Sequence, residues 1–266
     1  MSSVPGTPAF TPLSTSASPV LAGKVAFVTG GTRGIGAAIV QRLVRDGAAV
    51  AFTYSSSEAP ARALVAAMEA GGGKAVALKV DSADAAALTQ AVDAAAHTLG
   101  RLDILVNNAG VAVMGELDSF ALADFDHTLN VNVRAVFVAT QAAVRHMGQG
   151  GAYGRVITIG STNSDRMPWA GFSAYGMSKA AVAGLTQGLA RDLGPRGITV
   201  NNVQPGPVNT DMNPADGPMA SAMHGLMAVA RHAHPDEIAG MVAYLAGPES
   251  GMVTGASLLI DGGFAA

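Results

Sequence analysis

Tyr175 and Lys179 stand four residues apart, just before a run of helical composition, Ala180–Leu185. On a helix, residues i and i+4 share one face, so a phenol and an ammonium would project together. A neighbouring cation favours phenolate over phenol and draws a tyrosine pKa down from about 10. Tyr175 is therefore a candidate proton donor and acceptor. The same spacing arises by chance on many surface helices, so the pair needs support from the rest of the chain.

A second chemical signal lies near the start. The apolar run Lys24–Thr29 leads into Gly30-Gly31-Thr32-Arg33-Gly34-Ile35-Gly36. A helical pattern follows, with Ile39, Val40, Leu43 and Val44 on one face, and then a second apolar strand, Ala49–Thr53. Strand, glycine turn, helix and strand in this order are the context a dinucleotide-binding turn requires. The glycines allow the backbone to approach a pyrophosphate, and the helix start offers it unpaired N–H groups.

The elements that must position these residues keep alternating. Helices are expected over 58–70, 83–98, 121–147, from Tyr175 to about Gly194, and over 235–246. Strands are expected over 75–80, 102–106, 155–159, 198–203 and 257–260. The long helix 121–147 carries Asn132. Strands alternating with helices imply a doubly wound parallel α/β sheet of about seven strands, with helices on both faces. Such sheets bind ligands outside the carboxyl ends of their strands. Gly30–Gly36, Asp81, Asn107–Gly110, Ser161 and Pro205-Gly206 all follow strand ends.

Composition narrows the function. Of 266 residues, 49% are hydrophobic and 13% charged, with a net charge of −3 and no basic block. Nothing points to nucleic acid. The chain has no Cys, which removes disulfides and thiolate chemistry, and its 6 His show no metal-site spacing. No apolar run approaches the roughly 20 residues of a membrane span. Residues 1–20 are rich in Ser, Thr and Pro and read as a disordered or loosely docked tail before one domain, 21–266. A cytoplasmic protein is expected.

The chain resembles the short-chain dehydrogenases/reductases of the single-domain type, a Rossmann fold, over about residues 22–264. The resemblance rests on the glycine turn, Asn107-Asn108-Ala109-Gly110, Asn132, Ser161, Tyr175 with Lys179, and Pro205-Gly206. It implies that Tyr175 is the general acid in reduction and the base in oxidation. Lys179 would tune it and bind the nicotinamide ribose, Ser161 would hold the substrate oxygen, and Asn132 would hold a water in a proton relay. For the cofactor it implies Gly30, Thr32, Arg33, Gly34, Ile35 and Gly36 around the phosphates, with Asp81 and Ser82 at the adenine. Asn108, Ala109 and Gly110 would shape the cleft, and Pro205, Gly206, Val208 and Thr210 would meet the carboxamide. Ser161 and Tyr175 are 14 residues apart, one more than the family's usual spacing, which a bulge near Asp165–Pro168 could absorb.

The second strand ends in Thr53-Tyr54-Ser55-Ser56-Ser57, with no acid before Glu58. Arg33 and Ser55 could then face a 2′-phosphate, so NADP(H) is favoured and NAD(H) is the alternative. The Met-rich segment 207–231 corresponds to the family's substrate lid. Met114, Met167, Trp169, Phe172 and Met212 are the candidate pocket residues, and Arg166 is the one candidate for a substrate carboxylate. An uncharged ketone or aldehyde is expected, ahead of a carrier-bound 3-oxoacyl group. The sparse charges of 121–147 and 173–194 fit the family's homotetramer. The run Ser161–Pro168 with Gln204–Pro207 and Arg231-His232 is also similar to cyclic-di-GMP-binding biofilm dispersal mediator proteins, which share the fold. Cyclic di-GMP binding is the alternative function.

Overall fold

Val25–Val28 (β1) is a tetrapeptide of apolar residues, all four buried. A strand covered on both faces has this continuous pattern and belongs inside a parallel sheet. Ile104–Asn107 (β4) and Ile198–Pro205 (β6) are also buried throughout, although β6 carries the polar Thr199, Asn201, Asn202 and Gln204. The computed structural model describes residues 19–148 and 153–266. The tail assigned to 1–20 therefore falls almost wholly outside the described residues.

The remaining strands are Ala49–Tyr54 (β2), Lys74–Lys79 (β3), Gly154–Ile159 (β5) and Ser257–Ile260 (β7). They form one 7-stranded sheet in the order β3-β2-β1-β4-β5-β6-β7. Every pairing is parallel. The chain runs outward from β1 to β3, returns, and then runs outward from β4 to β7. The direction thus reverses between β1 and β4, where a doubly wound sheet opens its ligand crevice.

Helices cover both faces. One apolar layer joins Ile39 and Leu43 of Gly34–Arg45 (α1) to Ile238 and Val242 of Pro235–Ala246 (α8), with Leu64 of Glu58–Ala70 (α2) beside them. The other layer joins Leu88 and Val92 of Ala85–Leu99 (α3) to Ala139 and Ala143 of Ala135–Ala143 (α5), and takes Leu193 from Ser173–Leu193 (α6). Asp84 caps α3, accepting from the Ala86 and Ala87 N–H groups at 3.0 Å. Such a cap contributes about 1 kcal/mol.

The expected long helix 121–147 is not one regular helix. Leu122–Leu129 (α4) passes into a π-helical stretch, Asn130–Arg134, and then into α5. The wide turn lets the buried Asn132 side chain meet the backbone of Val111. Val111 N–H donates to Asn132 Oδ1 at 2.9 Å, and Asn132 Nδ2 donates to the Val111 carbonyl at 2.9 Å. These two part-buried hydrogen bonds offset the poorer packing of a π turn. A short helix, Ala220–His224 (α7), lies in the segment before α8 and has no clear signal in the sequence. Among the described residues, no helix is long and apolar enough to cross a membrane.

Candidate functional site

The glycine turn fits a dinucleotide phosphate. Gly30 and Gly34 hold positive φ values of 68° and 51°, a region costly for side chains other than glycine. A Cβ on Gly36 would collide with the Gly30 carbonyl and the Asn108 amide. The α1 N-cap, Arg33, makes no side-chain cap, so the first N–H groups of α1 remain open to an anion. Thr29 Oγ1 accepts from the N–H groups of Asn108 and Ala109 at 3.0 and 2.9 Å. Asn108 Nδ2 returns bonds to the carbonyls of Thr29 and Gly30 at 3.0 and 2.8 Å. The loops after β1 and β4 are thereby one unit at the switch point.

The loop after β2 is tied to the same turn. Gly30 N–H donates to Thr53 Oγ1 at 3.0 Å, and Gly31 N–H donates to the Thr53 carbonyl at 2.9 Å. Arg33 and Ser55 are both exposed, and no hydrogen bond or ion pair holds the Arg33 guanidinium among the described residues. Asp81 is exposed after β3 and caps its own turn by accepting from Ala83 N–H at 2.9 Å, with Ser82 between them. From the other side, Thr210 closes on the turn: its Cγ2 would lie 3.0 Å from a Cβ on Gly34. Val208 is buried and bridges Ala233, and Gly206 N–H donates to the Ile260 carbonyl. Of the residues assigned to the cofactor, Gly30, Gly34, Asn108 and Thr210 are thus brought together by direct contacts. Ile35 is half-buried and packs with the α1 core. A cavity of about 890 Å³ lies at the opposite edge of the sheet, between Lys24, Arg42, Lys74 and Asp236, and contains none of these residues.

The titratable group sits where β5 and α6 meet the π turn. Lys179 is 6% exposed, and its Nζ donates to the Ile159 carbonyl at 2.9 Å. Burial lowers its pKa to about 8. A Cβ on Gly110 would lie 3.4 Å from Asn132 Oδ1 and 3.5 Å from Lys179 Nζ. Asn132 Nδ2 also donates to Ser178 Oγ at 3.0 Å, and Ser178 Oγ donates to the Tyr175 carbonyl at 2.6 Å. Ser178 therefore links Asn132 to the helix that carries Tyr175 and Lys179. Only its place between Met177 and Lys179 could have singled it out in the sequence.

The Ser161 side chain stands near enough to the Tyr175 hydroxyl to act on its pKa. Tyr175 keeps some exposed surface, but its hydroxyl end is deep. Burial raises its pKa, and the neighbouring Ser161 partly opposes the rise. This corrects the expectation that Lys179 draws Tyr175 down. The Lys179 ammonium is directed at Ile159 and stands 5.7 Å from the Tyr175 ring centroid. Desolvation is therefore the larger effect on the phenol.

The loop from Ser161 to Phe172 borders the site. Ser161 Oγ accepts from Asn163 N–H at 3.1 Å and caps a 3-10 turn, Thr162–Ser164. Gln204 at the end of β6 donates to Ser164 Oγ. Phe172 meets the Tyr175 ring edge-on at 6.3 Å, and Met167 packs over Gly176. Trp169 turns toward Phe264, 5.8 Å away. Met114 and Met212 are 59% and 65% exposed. The segment of Met114 does reach the loop, through Gly115 N–H and the Gly171 carbonyl at 3.1 Å. Arg166 is not free for a substrate carboxylate, because its Nη1 donates to the carbonyls of Phe264 and Ala266.

The family model for short chain dehydrogenase matches residues 24–220. A short-chain dehydrogenase/reductase from Serratia marcescens is 61% identical, with a TM-score of 0.90 over 93% of this chain and 100% of that one. A short chain dehydrogenase from Burkholderia cenocepacia, in complex with NADP, is 55% identical at the same TM-score of 0.90, covering 93% and 100% of the two chains. The cyclic-di-GMP-binding biofilm dispersal mediator protein of Escherichia coli is 52% identical over 244 residues, which are 92% of this chain and 98% of that protein. The glycine turn, the Ser161–Tyr175–Lys179 grouping and these likenesses together establish that this chain belongs to the short-chain dehydrogenase family.

Proposed function

We propose that this chain is an NADP(H)-dependent reductase that converts an uncharged ketone or aldehyde to an alcohol and catalyses the reverse oxidation. The observation that supports this reading is the approach of Asn132 and Lys179 to Gly110, in the loop bonded to the glycine turn. The bound nicotinamide supplies a hydride. The rest is done by protein groups. Ser161 Oγ holds the carbonyl oxygen. The Tyr175 hydroxyl gives that oxygen a proton as negative charge develops on it. The Lys179 ammonium, anchored on the Ile159 carbonyl, contacts the cofactor ribose. Asn132 keeps the π turn open as the path by which the proton is replaced.

Several finer assignments accompany this reading. Gly30, Thr32, Gly34, Ile35 and Gly36 hold the pyrophosphate, and Arg33 with Ser55 holds a 2′-phosphate. Asp81 and Ser82 meet the adenine, Asn108, Ala109 and Gly110 flank the cleft, and Pro205, Gly206, Val208 and Thr210 meet the carboxamide. Met167, Trp169 and Phe172 border the substrate, and 207–231, with Met212, is its lid. The protein is cytoplasmic and homotetrameric, consistent with the 46% and 42% exposure of the apolar Phe137 and Met177. Ketones and alcohols of graded size, assayed with NADPH and NADH at the nicotinamide absorbance, test this reading. No turnover with any carbonyl would overturn it.

The likeness to the Escherichia coli protein favours a second reading, binding of cyclic di-GMP. Arg231 is held by Glu237 through bonds of 2.7 and 2.8 Å, and Arg166 is held by the chain's last residues. Among the described residues, no hydrogen bond or ion pair holds Arg33. A calorimetric titration with micromolar cyclic di-GMP decides this reading, and an absence of heat would remove it.

A further inference from the structure

The chain's final residues contact both borders of the substrate region. Asp261 directly follows β7 and is 8% exposed. Its carboxylate accepts from Thr162 Oγ1 at 3.1 Å, Gly263 N–H at 2.9 Å and Ala265 N–H at 2.9 Å. Thr162 is the residue next to Ser161. A Cβ on Gly206 would sit 2.7 Å from the Asp261 Cα, so the Pro205-Gly206 turn is packed against the same point.

Beyond Asp261 the chain grips the loop once more. Phe264 is 1% exposed and lies between Trp169, at 5.8 Å, and the Arg166 guanidinium, at 5.7 Å. Arg166 donates to the Phe264 carbonyl. On the opposite side, Val229 N–H donates to the Gly262 carbonyl at 2.8 Å. Gly262 and Gly263 have φ values of 63° and 79°, and added Cβ atoms would lie 2.9 Å from Met227 Cε and 2.8 Å from Ala228 Cβ. The backbone here adopts a glycine-only path that fits directly against residues 227–229.

We propose that Asp261–Ala266 is a specificity element, a brace joining the 161–172 loop to the 227–231 segment and fixing the width of the substrate opening between them. Phe264 and Arg166 are its positioning residues, acting through Trp169 and the loop. This rests on the reductase reading for its substrate, but the brace itself can be measured without turnover. The brace also explains why Arg166 is unavailable to a substrate carboxylate.

The test uses the full chain with Phe264→Leu, Phe264→Tyr and Arg166→Ala. Hydrogen exchange should quicken together in 162–172 and 227–231 in Phe264→Leu and Arg166→Ala, while β2 and α3 stay protected as before. Phe264→Tyr, which keeps the ring, should restore slow exchange. With a small aliphatic ketone and a bulky aryl ketone, the ratio of kcat/KM values should move toward unity by about tenfold, a change on the scale of pocket shape effects. The KM for NADPH should hold within about twofold. Faster exchange in only one segment, in neither, or throughout the protein would overturn the brace. If the wild-type chain reduces no carbonyl, the reductase reading fails while the exchange result still decides the brace.

Discussion

Lys179 Nζ donates to the carbonyl of Ile159, the last residue of β5, at 2.9 Å. The bond holds an ammonium at the carboxyl end of the sheet, almost wholly out of water. Its pKa of about 8 reflects that burial. Relative to an ordinary lysine near 10.4, the protonated form at pH 7 costs roughly 3 kcal/mol.

Lys179→Met should therefore stabilise the cofactor-free protein while removing turnover. Losing the bond to Ile159 returns about 1 kcal/mol of the gain. The net gain of about 2 kcal/mol corresponds to a rise in Tm of roughly 4 to 8 °C. In the wild type, the unfolded chain holds more protons than the native one between about pH 8 and about 10.4, so this group makes stability rise with pH in that window. Calorimetry of both proteins checks the effect, and a lower Tm for the variant would contradict it.

Tyr175→Phe should lower kcat by about 10²- to 10⁴-fold, the range for loss of a general acid. The NADPH dissociation constant, measured by nicotinamide fluorescence, should change little. Because burial holds the Tyr175 hydroxyl above its ordinary range, reduction should not lose its proton donor around neutral pH. A variant with near wild-type kcat would move the acid elsewhere.

Arg33→Ala should raise KM for NADPH about 10- to 100-fold, as expected for losing a charge-assisted phosphate contact. The KM for NADH should stay within about threefold of the wild type. Equal changes with the two cofactors would show that Arg33 faces solvent.

His224 Nε2 and His232 Nδ1 are 2.8 Å apart, and His232 is 6% exposed. Burial, and then the neighbouring His224, lowers the His232 pKa below its ordinary value of about 6.5. A histidine kept neutral in the native state is protonated first in the unfolded one. Its effect is thus a loss of stability as pH falls below about 6.5. The Tm should drop from pH 7 to 5.5, and His232→Gln should flatten that drop. An unchanged pH slope in the variant would exclude this pair as the cause.

Most of the fold was legible because parallel strands buried on both faces are written as apolar runs, as in β1 and β4. The candidate site was signalled for a similar local reason, since Gly30–Gly36 and Tyr175 with Lys179 carry their chemical types within a few residues. What escaped depends on distant partners. Nothing in Asn130–Arg134 signals a π turn, because its cause is the Val111 backbone 21 residues away. Arg166 looked free because the carbonyl it binds, on Phe264, is 98 residues distant. The lowering of Tyr175 by Lys179 was inferred from spacing, which carries no information on burial.

The π turn also makes folding and chemistry separable at one point in the chain. Removing one residue from Asn130–Arg134 would convert the wide turn to an ordinary one and leave the helix fully hydrogen-bonded. The preceding side chains would rotate by about 100° relative to α5. Asn132 could then no longer meet Val111. A one-residue deletion there should keep a helix but lose both Asn132–Val111 bonds, and with them the proton path assigned to the π turn.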